Sequence, residues 1–345
     1  MKLHDLFKFP ILQGPMAGGA SGPALVAAVS SAGGLGCFAA SLLSPSAMRD
    51  QVALIRSLTD QPFLINLFVQ EVPAPSAAEV DAAVQLLAPI WKSLGWEALP
   101  IPSAWCEDFS AQLDALIALR PAAASFTFGI LTPVQVERLH DAGIVVIGTV
   151  TSVEEALAWE TVGADAVIAS GTEAGGHRGT FIGAQEDSML PARQLWPQVA
   201  EAVSIPMIAA GGIMTGVDIN EALALGAKAV QMGSAFLVCD ESGINAIYRQ
   251  ALIDADDTPT RLTRAFSGRY ARGLENRFMR EMQAVESRVP AYPVQNALTT
   301  AIRAAAASKG DPELMSLWAG AEIKRARPLP VARLMQTLVA EMRTL

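Results

Sequence analysis

Along most of the chain, short apolar runs take turns with longer stretches in which apolar and polar positions mix at helical spacing. "PILQGPMAGG" gives way to "GPALVAAVSSAGG", "GCFAAS" to "SPSAMRDQVALIRSL", and "PFLINLFV" to "SAAEVDAAVQLLAPIW". Further on, "AAASFTFGI" precedes "TPVQVERLHDAG", "IVVIGTV" precedes "SVEEALAWETVG", and "ADAVIASG" opens a glycine-rich loop. "IPMIAAGGI" then leads to "GVDINEALALG", and "AVQMGSAFL" to "NAIYRQALIDA". A short apolar run bounded by Gly or Pro reads as a buried strand. Strands that alternate with helices build βαβ units and a parallel sheet. Eight such units in succession predict an α/β fold of the (β/α)8 TIM-barrel kind. Ser44, Thr132, Ser152 and Thr215 stand where helix N-caps are wanted, and Pro45 and Pro133 follow two of them at the first helical position.

Two regions exceed a bare barrel. The segment from about 76 to 120 is longer than one crossover helix needs and carries Trp91, Trp96 and Trp105, so inserted helices are expected there. Beyond Asp256 the alternation stops: "RLTRAFSGRYARGL" reads as extended, while "QNALTTAIRAAAAS" and "PVARLMQTLVAEM" read as helices. The expected division is a barrel over 1–256 and a small, mostly helical C-terminal segment over 257–345 that covers the substrate.

Composition narrows the class. Hydrophobic residues make up 51% of the 345 residues and charged residues 17%, so a large buried core is expected and disorder is not. The formal net charge is -9 and no Lys/Arg cluster stands out, which argues against nucleic acid or an anionic membrane as a partner. Cys37, Cys106 and Cys239 are odd in number and far apart, which points away from a disulfide framework and from a metal site. "MKLHDLFKFPILQGPMAGG" lacks a signal-peptide layout and no apolar run is long enough to span a bilayer, so a cytoplasmic location is expected.

In such a barrel the chemistry sits at the C-terminal ends of the strands. Glycine recurs there. Gly211-Gly212 and Gly233-Ser234 follow the seventh and eighth strands, where barrels commonly bind phosphate through backbone N–H groups. A glycine-rich rim suits a mononucleotide, and FMN fits better than NAD because the dinucleotide pattern GxGxxG is absent. Asn66 and Gln231 offer amides that could bond a flavin ring edge or could be satisfied inside the core. His177 lies in "SGTEAGGHRGTF" among Gly175, Gly176 and Gly179, whereas His4 is terminal and His140 belongs to an outer helix. Its imidazole could take a proton near neutral pH or supply positive charge to an anion. Glu173 on the same loop could orient it or be a solvated acid.

"QGPMAGGAS", "INLFV", "GADAVIASGTEAGGHRGTF", "IPMIAAGGI" and "GAKAVQMGSAFL", with "FSGRYARGLENRFM", "AYPVQNALT" and "LWAGAE" in the tail, resemble class I nitronate monooxygenases over nearly the whole chain. The resemblance implies an FMN-binding barrel that uses dioxygen to oxidise small anionic alkyl nitronates, such as propionate 3-nitronate, to carbonyl compounds and nitrite. It implies cofactor contacts at Asn66, Gly175, Gly212, Gln231, Met232, Gly233 and Ser234, with Met16 and Ala17 against the flavin and His177 as the active-site histidine. Ser170 departs from the family, which often has Gln at this cofactor position, and "WAGAE" stands where "WAGQG" is expected. A monomer or homodimer is expected. A rival reading is an FMN-dependent enoyl-acyl-carrier-protein reductase oxidising NADH or NADPH, which shares the fold, the phosphate site and a similar "EAGGH" loop. "HRGTF" favours the nitronate side. A flavin-free barrel that binds a phosphorylated metabolite is a third.

Overall fold

The computed structural model describes residues 2–255 and 258–343. Strands β1 (Ile11–Gln13), β2 (Gly36–Ala39), β3 (Phe63–Phe68), β4 (Ala123–Thr127), β5 (Val145–Val150) and β6 (Ala166–Ser170) come first. A two-residue strand β7 (Gly176–His177) follows, then β8 (Met207–Ala210) and β9 (Ala229–Met232). All but β7 form one parallel sheet in the order β1-β9-β8-β6-β5-β4-β3-β2. The sheet closes on itself where the Gln13 N–H donates to the Leu35 carbonyl at 3.0 Å and the Leu35 N–H to that of Ile11 at 2.9 Å. This is the (β/α)8 barrel that the alternation predicts.

The period-2 geometry of a strand sorts the side chains. Leu12, Leu35, Leu64, Val145, Ile147, Ile168 and Ile208 pack together with Leu3 and Leu6 of the N-terminal turn. Their neighbours Ile11, Ile65, Val146 and Val167 pack among Leu25, Val52, Leu113, Leu139, Trp159 and Trp196 of the surrounding helices.

Those helices are α1 (Pro23–Ser31), α2 (Pro45–Leu58), α3 (Ala77–Leu86), α4 (Ala88–Ser93), α5 (Phe109–Leu119), α6 (Pro133–Asp141), α7 (Val153–Thr161), α8 (Ala192–Ala202) and α9 (Gly216–Ala224). The hydroxyls of Ser44, Thr132, Ser152 and Thr215 each accept a backbone N–H of the first turn, as N-caps do. The segment 76–120 holds three helices, as its length requires, and α3 and α4 pack away from the barrel core.

After the one-turn α10 (Ser234–Leu237) come α11 (Ala246–Ile253), α12 (Arg277–Met282), α13 (Val294–Lys309) and α14 (Val331–Met342). The sequence pairs the eighth strand with residues 246–253, but α11 packs in a second apolar cluster with α3, α4, α12 and α13. The helix that shares the barrel core, between α1 and α9, is α14, through Val331, Leu334, Met335 and Leu338. The boundary expected at 256/257 lies outside the described residues. An antiparallel ribbon, β10 (Thr260–Thr263) and β11 (Ala271–Leu274), extends through β7, with Ala271 opposite His177 and Arg272 opposite Gly176. The histidine loop is thus a strand of the tail's own sheet.

Candidate active site

A cavity of ≈ 440 Å³ opens at the C-terminal ends of the barrel strands, under a roof from the tail. Its size falls within the range of about 300–1,000 Å³ typical of cofactor and substrate pockets. Met16, Ala17, Asn66, Ser170, Gly175, His177, Gly211, Gly212, Gln231, Met232, Gly233 and Ser234 all line it. Sequence positions from the ends of five barrel strands, β1, β3, β6, β8 and β9, are therefore gathered at one place.

One end of the cavity is backbone. Gly211 and Gly212 adopt φ 111 and 72, which side chains other than glycine's resist. Among the described residues, no protein acceptor takes the N–H groups of Gly212, Ile213, Gly233 or Ser234. Unpartnered N–H groups from two neighbouring strand ends are what a phosphate dianion requires. The Gln231 side chain likewise makes no hydrogen bond to the protein among the described residues. Asn66 is different: its Nδ2 donates to Ser125 O at 3.2 Å, Ser125 Oγ at 3.0 Å and Thr127 Oγ1 at 3.3 Å. Only its Oδ1, with Ser41 Oγ at 3.4 Å, has capacity to spare. These groups fit FMN: an anion cradle, a free amide and an apolar floor at Met16 and Met232.

The loop that carries His177 is fixed from below. The Glu155 carboxylate is fully buried and accepts the N–H groups of Thr151 at 2.6 Å, Phe181 at 2.6 Å and Ile182 at 3.1 Å. Arg178, also buried, donates to the carbonyls of Ser170, Gly171 and Ser188 at 2.7–2.8 Å. Gly175 is required for a close approach: a Cβ there would lie 2.5 Å from the Gly320 nitrogen in the tail. Glu173 neither orients His177 nor stands free in solvent. Its Oε2 accepts the Ala192 N–H at 2.8 Å and so caps α8.

His177 sits in an aromatic box. The rings of Phe128, Tyr292 and Trp318 lie with centroids 5.6, 5.6 and 5.4 Å from its own. Phe128 holds φ 79, a left-handed conformation costly for a bulky residue. The His177 Nε2 lies 2.8 Å from the Ser267 Oγ. Burial, then the guanidinium groups of Arg269 and Arg303, push its pKa down from 6.5 to about 3. The imidazole is neutral at physiological pH, so of the two roles open to it the structure favours the proton acceptor over the cation.

The positive charge comes from residues that sequence reasoning missed. Arg303 lines the cavity and, among the described residues, has no carboxylate partner. Its Nη2 donates to Asn296 O at 2.8 Å, Asn296 Oδ1 at 3.0 Å and Thr300 Oγ1 at 2.9 Å, while Nε and Nη1 reach acceptors only at 3.4 Å. Burial lowers its pKa to about 10, which leaves it charged at neutral pH. A signal existed: Arg303 is the sole charged residue in "QNALTTAIRAAAAS". The Tyr248 hydroxyl holds the Trp318 carbonyl at 2.6 Å, which anchors that wall. His140 pairs with Asp165 at 2.9 Å on the outer surface.

The family model for nitronate monooxygenase matches residues 1–341 of the chain. A probable nitronate monooxygenase from Staphylococcus aureus (strain JH9) is 40% identical over 333 residues, which cover 96% of this chain and 94% of the relative. The solved structure of nitroalkane oxidase from Streptomyces ansochromogenes is 44% identical with a TM-score of 0.92, covering 99% of this chain and 98% of that one. FabK from Thermotoga maritima is 30% identical with a TM-score of 0.77, covering 99% and 96%.

Proposed function

The chain belongs to the nitronate monooxygenase family of oxidoreductases, and we propose that it uses FMN and dioxygen to oxidise alkyl nitronates to carbonyl compounds and nitrite. The observation that carries this reading is the cavity. It joins a cluster of backbone N–H groups and an arginine that have, among the described residues, no protein acceptor and no carboxylate partner respectively, with a neutral histidine.

In this reading Gly212, Ile213, Gly233 and Ser234 hold the FMN phosphate through their N–H groups. Gln231 and the Oδ1 of Asn66 would bond the ring edge, and Met16, Ala17 and Met232 would supply apolar contact to the ring. Ser170 contributes a hydroxyl at the end of β6, and Gly175 brings the tail loop down beside it. Bound FMN supplies one-electron redox chemistry between the organic substrate and dioxygen.

The residues of the chain do the rest. A nitronate arrives already deprotonated at carbon, with its charge on the nitro oxygens. Arg303 attracts that charge into a low-dielectric box of Phe128, Tyr292 and Trp318, where Coulomb attraction is strong. A neutral nitroalkane needs a base, and the neutral imidazole of His177 serves. The overall reaction balances as two nitronate anions and one dioxygen giving two carbonyl compounds and two nitrite ions. The test is oxygen uptake with nitrite release when an alkyl nitronate meets the FMN-loaded protein.

A further inference from the structure

We propose that Ser267 is the positioning residue that sets the tautomer of His177, with the proton on Nε2 and the lone pair on Nδ1 as the site's basic atom. The basic role of Nδ1 rests on the function proposed above, whereas the tautomer itself does not.

Three contacts decide it. The Ser267 Oγ lies 2.8 Å from His177 Nε2 and 3.0 Å from the Arg269 carbonyl oxygen. A hydroxyl has one proton, and a carbonyl oxygen can only accept. The Arg269 carbonyl has no other protein donor among the described residues, and Ser267 is fully buried. Ser267 therefore donates to Arg269 and has only lone pairs left for the histidine. The Arg269 N–H, 3.4 Å away, points to the same acceptor role. Nε2 must then be the donor. The opposite tautomer would set two lone pairs against each other, or would strip the half-buried Arg269 carbonyl of the one protein donor it has among the described residues. Nδ1 has no hydrogen-bond partner in the protein among the described residues.

The tail is built to hold this turn in place. Ser267 is 90 positions from His177, yet the β7–β11 pairing puts Ala271 opposite the histidine. The Arg178 N–H donates to Tyr270 O at 2.7 Å, and Arg269 Nε donates back to Arg178 O at 2.8 Å. Arg269 also donates to the Thr180 carbonyl and stacks 4.3 Å over the Phe128 ring. The charged and titratable groups that face His177 are Arg269 on this turn, Arg303 on α13 and Tyr292 before it; Phe128 and Trp318 complete the box with no charge. Both charges are positive, which keeps the imidazole neutral and gives a tautomer something to decide.

The step that follows balances. Nδ1 takes the α-proton of a neutral nitroalkane, the C–H electron pair moves into the nitro group to form the nitronate, and the imidazolium keeps its Nε2 proton on Ser267. A pre-formed nitronate bypasses this step.

The test is ¹⁵N NMR of the FMN-loaded protein labelled at histidine. The chain has three histidines, and His177→Asn identifies the resonance. We expect the Nε2–H tautomer at neutral pH in the wild type and in Ser267→Thr, and a mixture of tautomers in Ser267→Ala. Turnover should agree: Ser267→Ala lowers kcat/KM for a neutral nitroalkane about three- to tenfold, in proportion to the competent tautomer lost. It leaves that for the pre-formed nitronate within about twofold, because no proton is abstracted. Ser267→Thr restores the nitroalkane activity. An Nδ1–H tautomer in the wild type overturns the proposal even if the alanine variant fails to fold. Equal losses on both substrates in a folded Ser267→Ala also overturn it. Failure of the functional reading looks different: wild type turns over neither substrate while the tautomer is still read.

Discussion

The Gly320 N–H donates to the Ser234 hydroxyl at 2.8 Å, across 86 positions of the chain. The next residue of the same tail loop, Ala321, donates to the Glu173 carbonyl at 2.9 Å, on the histidine loop. One short loop thus ties the turn after β9, the proposed anion cradle, to the loop after β6. The cradle, the histidine and the roof over them are one structural unit.

A charge placed in the cradle separates an anion site from a mere tight turn. A Cβ on Gly233 would meet only Met16 Sδ at 3.8 Å, and its φ is -96, so both space and backbone tolerate a side chain. Gly233→Asp should lose FMN through charge repulsion, while the isosteric Gly233→Asn should retain most of it. The flavin content of the purified variants checks this. Equal occupancy in the two would place the phosphate elsewhere.

Arg303 should act on binding of the anion. A hydrogen bond to a charged group contributes about 1.5–3 kcal/mol, so Arg303→Gln should raise KM for an alkyl nitronate about ten- to hundredfold. For a neutral nitroalkane KM should stay within about twofold, since the lost attraction is coulombic. Initial rates of oxygen uptake with the two substrates measure the split. A common factor on both would make Arg303 a structural residue of α13.

The depressed pKa of His177 fixes the direction of two pH effects. Its folded value of about 3 lies below the ordinary 6.5, so the folded protein binds this proton less readily than the unfolded chain. The contribution to stability is complete above pH 6.5 and is lost as pH falls toward 3. Denaturant unfolding of His177→Asn across that window should show a shallower acid slope than wild type. Likewise, kcat/KM for a neutral nitroalkane should show no His177 inflection in the range of about pH 5–8 where an unperturbed imidazole titrates. A limb near pH 6.5 that vanishes in His177→Asn would mean the histidine is solvated as the ordinary value requires.

The barrel was legible because apolar periodicity and N-cap hydroxyls are local signals. Ser44 and Thr215 cap their helices wherever the tail goes. The glycine-marked strand ends were legible too, since backbone geometry demands glycine at Gly211 and Gly212 whatever binds there. The partner of the eighth strand was not. Residues 246–253 and 331–342 both read as amphipathic helices, and only packing decides that α14 lies beside α1 and α9. The two-residue β7 carries no periodicity at all. The state of His177 was hidden for the same reason: the groups that set it, Ser267, Arg269 and Arg303, are 90 or more positions away. An ordinary imidazole was expected, with Glu173 either orienting it or standing in solvent, whereas Glu173 caps α8 and the Ser267 hydroxyl is the group that meets His177 Nε2.

FMN-dependent oxidation of nitronates by dioxygen is tested most directly by one coupled measurement. Purified protein is scanned for flavin absorbance and then given propionate 3-nitronate in an oxygen electrode, with nitrite assayed afterwards. In parallel, NADH is added without oxygen. An FMN-dependent nitronate monooxygenase should be a yellow protein that releases FMN on denaturation, with rapid oxygen uptake on the nitronate, nitrite among the products, and little bleaching by NADH. A flavin that NADH bleaches at once, with no oxygen uptake on the nitronate, would contradict it and favour the enoyl-acyl-carrier-protein reductase reading.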